Sequence, residues 1–172
     1  MRIIDIQGYM PDVTDNISND SVKKILEDLG IEYLVTLPES LYALLLEDVI
    51  KASPIKIIQV CREPEGISIS TGLSYGGKNT AMLCSFKGLY NSVDSLLGTA
   101  VRTESSFLLL ISEAGKLVKA SKGPEHIYTE EILKAIEIPY YTVSSDSELF
   151  RIREAWEQSK NSKKPIAVIL RW

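Results

Sequence analysis

Short apolar runs rich in β-branched residues recur along the chain, separated by stretches whose apolar positions fall at helical spacing. The runs at residues 31–37, 55–60, 80–85, 107–112, 140–143 and 166–170 predict six strands. Val22, Ile25, Leu26 and Leu29 keep one helical face, with Ser18 or Asn19 as the cap and Gly30 as the stop. Further helices are predicted from Leu41 to Lys51, from Pro64 to Tyr75, from Tyr90 to Arg102 and from Glu130 to Ile136. Ser144 or Ser145 is expected to cap a last helix reaching Ser159.

Strands that alternate with helices imply right-handed crossovers and a parallel sheet. The expected fold is α/β and three-layered: a parallel sheet of about six strands with helices on both faces. The run from Phe107 to Ile111 is wholly apolar, which places its strand near the sheet centre, and residues 55–60 read as another buried strand. Residues 1–16 mix a short apolar start with Gly8, Pro11 and Asp12 and read as a loosely packed lead-in. Residues 113–129, with Gly115, Gly123 and Pro124, read mostly as loop, and Lys87-Gly88 as a shorter one. Without repeats or linkers, the 172 residues suit a single domain spanning 1–172.

Charge narrows the partners. A net charge of −4, from 19 basic and 23 acidic residues, gives no attraction to nucleic acid or to an anionic membrane. The two cysteines, Cys61 and Cys84, read as buried reduced thiols, and with the single histidine His126 they are too few for a four-ligand zinc site. No signal-peptide pattern and no run of membrane-spanning length is present, so a cytoplasmic location is the expectation.

The familiar chemical motifs are missing. No Gly-x-Gly-x-x-Gly follows a strand, and Gly77-Lys78 is followed by Asn79 where a phosphate loop needs Ser or Thr. Gly88-Leu89-Tyr90-Asn91-Ser92 is not a nucleophile elbow, and His126 has no nucleophile beside it. What remains is Cys61-Arg62-Glu63-Pro64-Glu65-Gly66. Pro64 suits the first position of a helix, so Glu63 falls at the carboxyl end of a strand, where open parallel sheets bind ligands. Two readings stand: a carboxylate that suits the helix dipole, or one that serves a ligand. Gly66, Ser68, Ser70 and Gly72 permit close approach to the helix that follows, by the domain's own core or by something else.

The segment 62–78, Arg62-Glu63-Pro64-Glu65-Gly66 through Gly76-Gly77-Lys78, resembles the Arg-Glu-Glu-Glu-Gly…Ala-Gly…Gly-Lys segment of the sulfopyruvate decarboxylase alpha subunit and phosphonopyruvate decarboxylase. Leu37-Pro38-Glu39-Ser40 is similar to the family's Leu-Pro-Asp-Ser, and residues 108–112 and 134–139 extend the likeness. These are thiamine-diphosphate enzymes. The resemblance implies their pyrimidine-binding domain, with a six-stranded parallel sheet. In the family a glutamate precedes a helix glycine by nine residues; Glu63 and Gly72 keep that spacing, so the resemblance selects Glu63 over Glu65 as the catalytic carboxylate. Its role there is to hydrogen-bond the aminopyrimidine ring and so activate the cofactor. Pro38, Gly88, Leu89 and Asn91 are implied as further cofactor contacts, with Lys87, Ser85 and Tyr90 toward the substrate and no metal ligand on this chain.

The implied activity is decarboxylation of a small 2-oxo acid. A carboligase of the same cofactor class, or a non-catalytic homologue with a structural or regulatory role, are the alternatives. The family's Gln-Asn-Ser-Gly-Leu-Gly-Asn stands here as Ser85-Phe86-Lys87-Gly88-Leu89-Tyr90-Asn91, and its Trp-Arg-Gly as Glu113-Ala114-Gly115. Lys87 either holds an anionic substrate group or is simply solvated. The Gly-Asp-Gly…Asn pattern that holds the diphosphate and Mg2+ in such enzymes is absent from this chain. The resemblance therefore implies a separate diphosphate-binding subunit that carries it and holds the Mg2+, in a hetero-oligomer.

Overall fold

The computed structural model describes residues 17–39, 42–113 and 128–171. In chain order the elements are α1 (Asn19–Asp28), β1 (Tyr33–Thr36), α2 (Ala43–Ala52), β2 (Lys56–Gln59), α3 (Glu63–Tyr75), β3 (Thr80–Ser85), α4 (Phe86–Asn91) and α5 (Val93–Ser95). A π-helical turn (Leu96–Val101), β4 (Leu108–Glu113), α6 (Tyr128–Ala135), β5 (Tyr140–Val143), α7 (Phe150–Ser162) and β6 (Ile166–Arg171) follow. All six strands pair in parallel, in the order β2-β1-β3-β4-β6-β5. The expected α/β architecture is therefore present, with β4 in the sheet interior.

Side chains alternate across the strands and so divide the core in two. Leu34, Leu83, Leu108, Leu110 and Val168 face α1, α2 and α7, which contribute Val22, Leu26, Leu45, Val49, Ile152 and Trp156. Val35, Met82, Leu109, Ile111 and Ile169 face the other side, where Ile67 of α3, Leu89 of α4, Leu96 and Leu133 pack. The helix starts are specific. Ser18 Oγ accepts from Ser21 N at 3.4 Å, and Asp146, far along the chain, accepts from Ser18 N at 2.7 Å. Gly30, at φ 67°, closes α1 in the left-handed region that glycine occupies without strain. Gly66 lets α3 sit close to the sheet: a Cβ there would lie 2.4 Å from Met82 Cε.

Five expectations are corrected. Lys87-Gly88 lie within a helix, α4, instead of a loop, because the Ser85 hydroxyl accepts from Gly88 N at 3.4 Å and turns the chain into α4 directly from β3. The helix expected over 90–102 is consequently broken at Ser92 before α5 and the π-helical turn. β2 is an edge strand with Lys56 and Gln59 exposed, so it is not fully buried, and Cys61, in the turn beyond it, is exposed while Cys84 is buried. The last helix starts at Phe150 after a 3-10 turn, Asp146–Glu148, and neither serine side chain caps it. Residues 1–16 and the segment carrying His126 lie outside the described residues. Among the described residues no helix is long and apolar enough to cross a membrane.

Candidate active site

From β1 the chain crosses through α2, on one face of the sheet, to β2; it then returns through α3, on the opposite face, to β3 on the other side of β1. The connections leaving β1 and β3 thus diverge at their carboxyl ends. Such a divergence opens the crevice in which doubly wound sheets bind ligands.

Glu63 stands at this crevice as the first residue of α3. Arg62 before it is extended, at φ −144° and ψ 144°, and Pro64 lies in the first turn, where it sacrifices no helical hydrogen bond. Glu65 secures the turn from below: its Oε2 accepts from Cys61 N at 3.2 Å. That leaves Glu63 as the acid at the helix start whose carboxylate meets α4. Asn91 Nδ2 donates to Glu63 Oε2 at 3.1 Å. Gly88, three residues earlier on α4, presents bare backbone to the same carboxylate; a Cβ there would lie 2.6 Å from Glu63 Cγ and 3.0 Å from Oε1. Glu63 is half-buried.

Two buried groups sense this carboxylate. Burial pushes the Cys84 thiol well up, and the negative charges of Glu63 and Glu39 push it in the same direction. Tyr42, whose hydroxyl donates to the Leu37 carbonyl at 3.1 Å, is likewise pushed up, chiefly by burial; Glu39 and Glu63 add to the shift and a hydrogen bond with Thr36 opposes it. Both groups therefore stay protonated at neutral pH. Sequence reasoning missed Tyr42 and Glu39. The only signal for Glu39 was its place directly after Pro38, in the position of the family's acid.

The remaining residues fall into three environments. Pro38 is exposed in the loop leaving β1. Ser85 is buried with its hydroxyl used as the α4 cap, and Leu89 is fully buried among core side chains. Lys87 is exposed and lies 5.8 Å over the Phe86 ring. Tyr90 is half-buried, edge-on to Phe86, with its hydroxyl 3.5 Å from Thr129 Oγ1 of α6. Further along the carboxyl edge, Arg171 Nε donates to the buried Glu113 at 2.9 Å and its NH2 group donates to Glu130 at 2.8 Å; Glu130 also accepts from the Tyr140 hydroxyl at 2.8 Å. An open groove lined by Tyr141, Phe150, Glu154 and Gln158 lies at the β5 edge, three strands from β3.

No family model matches the chain. It is 31% identical over 157 residues to sulfopyruvate decarboxylase subunit alpha of Methanococcus maripaludis, a match covering 89% of this chain and 93% of that one. The chain belongs to the sulfopyruvate decarboxylase alpha-subunit family. The subunit alpha of Methanothermobacter thermautotrophicus is also 31% identical, over 156 residues that cover 89% of this chain and 94% of the relative. Among solved structures, benzoylformate decarboxylase of Polynucleobacter necessarius superposes with a TM-score of 0.73 at 16% identity. That match covers 89% of this chain but only 29% of the longer enzyme, so the family's fold corresponds to one part of it.

Proposed function

We propose that this chain is the pyrimidine-binding subunit of a two-component, thiamine-diphosphate-dependent decarboxylase acting on a small 2-oxo acid. The observation that carries the reading is the setting of Glu63: a carboxylate at the sheet's switch-point crevice, held by Asn91 and lying against the bare backbone of Gly88. Membership of a family whose relatives are named decarboxylase subunits supports it.

The residues fit the pyrimidine end of the cofactor. Glu63 supplies a carboxyl group able to share a proton with a ring nitrogen, and Gly88 keeps the space beside that carboxyl free of a side chain. Bound there, thiamine diphosphate would supply the electron sink that lets a 2-oxo acid lose carbon dioxide. Glu63 would share its proton with the pyrimidine ring nitrogen of the bound cofactor. Gly88 borders the carboxylate; Pro38, in the exposed loop leaving β1, and the backbone around Leu89 would contact the cofactor, and Lys87 and Tyr90 of α4 would meet a substrate's anionic end.

The name "subunit alpha" borne by the relatives supports a separate partner subunit. That partner would carry the Gly-Asp-Gly pattern and hold the diphosphate and Mg2+. The test is reconstitution with a companion subunit carrying Gly-Asp-Gly…Asn, thiamine diphosphate and Mg2+, offered 2-oxo acids including sulfopyruvate, with and without an added aldehyde. The expected result is carbon dioxide and an aldehyde product. A coupled product formed only with added aldehyde would move the assignment to a carboligase. No turnover with any 2-oxo acid, in a complex that assembles and binds cofactor, would overturn it in favour of a structural subunit.

A further inference from the structure

We infer that Asn91 is a positioning residue for Glu63 and not a ligand of the cofactor. This rests on the reading of Glu63 as the activating carboxylate. Gly88 and Asn91 are three residues apart on α4 and therefore share a face. That face meets Glu63, 28 residues away in sequence, at two points: the glycine backbone against Cγ and Oε1, and the amide nitrogen on Oε2 at 3.1 Å. A glutamate is a flexible side chain, and fixing it forfeits rotamer freedom of roughly 1.5–2 kcal/mol. The α4 face fixes it before any ligand arrives.

The chemistry of the contact assigns the two oxygens different tasks. An amide nitrogen only donates, so Asn91 Nδ2 requires an acceptor lone pair on Oε2. When Glu63 carries a proton, the oxygen that keeps accepting is the carbonyl-like one, and the proton resides on Oε1. Among the described residues Oε1 accepts no hydrogen bond, and it lies on the side that Gly88 leaves open. Asn91 thus determines which oxygen carries the exchangeable proton, with one of its two N–H donors committed to Glu63.

The experiment uses the reconstituted complex and two readouts: turnover at saturating cofactor, and thiamine-diphosphate affinity by calorimetry. Asn91→Asp keeps the shape and loses the donor; Asn91→Ala loses both; Asn91→Gln keeps a donor on a longer arm. Misplacement of a reacting group by about 1 Å costs up to a hundredfold in rate. Turnover is expected to fall about tenfold or more in the Asp and Ala variants, with cofactor affinity changed less than about threefold and part of the loss regained in the Gln variant. A tenfold loss of affinity, with normal turnover once cofactor saturates, would overturn the inference and make Asn91 a cofactor ligand. Unchanged turnover in the Asp variant would overturn it as well. Glu63→Gln runs alongside: if that variant keeps full turnover, the reading of Glu63 itself fails, whatever Asn91 does.

Discussion

Gly88 lies so close to Glu63 that the first carbon of any side chain at position 88 would stand 2.6 Å from Glu63 Cγ, far inside van der Waals contact. It would also stand 3.1 Å from Cys84 Cβ, so it cannot yield by moving toward the sheet. Gly88→Ala therefore has two opposed effects. As a helix residue alanine is favoured over glycine by about 1 kcal/mol, so α4 itself is not weakened. The Glu63 carboxylate must swing away, and turnover in the reconstituted complex is expected to fall about tenfold or more. Parallel turnover and thermal-melting measurements check this; an alanine variant as active as the parent would mean that the contact does not constrain Glu63.

The two thiols should differ sharply. Cys61 is exposed in the turn before α3, while Cys84 is buried on β3 and is further held protonated by Glu63 and Glu39. A chromogenic disulfide reagent is expected to titrate one thiol in the folded chain and two in denaturant. Rapid reaction of both in the folded chain would contradict the burial of Cys84.

Acid sensitivity should trace in part to Glu130. The Arg171 guanidinium, with help from the Tyr140 hydroxyl, holds its carboxyl below the ordinary carboxylate value. A depressed carboxylate contributes stability above its unfolded-state value and loses it as pH falls through the folded-state one. Glu130→Gln is therefore expected to be less stable than the parent at neutral pH. The gap should close as pH falls through and below the ordinary carboxylate range. Urea unfolding of both chains across that range measures it; a gap that stays constant with pH would contradict the pairing.

The strands were legible because parallel strands buried on both faces leave nearly continuous apolar runs, and each of the six lies within or largely overlaps its expected segment. The edge position of β2 was not legible, since strand order is decided by crossovers and leaves little local trace. α4 was hidden for a different reason. Phe86-Lys87-Gly88-Leu89-Tyr90-Asn91 has weak helical character, and its helix depends on the Ser85 cap and on contact with α3. Glu63 could be singled out from the strand-to-helix junction and the spacing to Gly72, but its partners could not. Asn91 is 28 residues away, and the electrostatic neighbourhood of Tyr42, Cys84 and Glu39 forms only when three connections converge on one sheet edge.

The most direct measurement is turnover of the complex containing Glu63→Gln. Glutamine keeps the size of the side chain and an oxygen that can accept from Asn91, but it cannot hold or release a proton as a carboxyl group does. Assembly with the partner subunit is expected to be retained, and turnover of the 2-oxo acid to fall by at least about a hundredfold. Turnover equal to that of the parent complex, at equal cofactor occupancy, would contradict the assignment of Glu63 as the activating carboxylate.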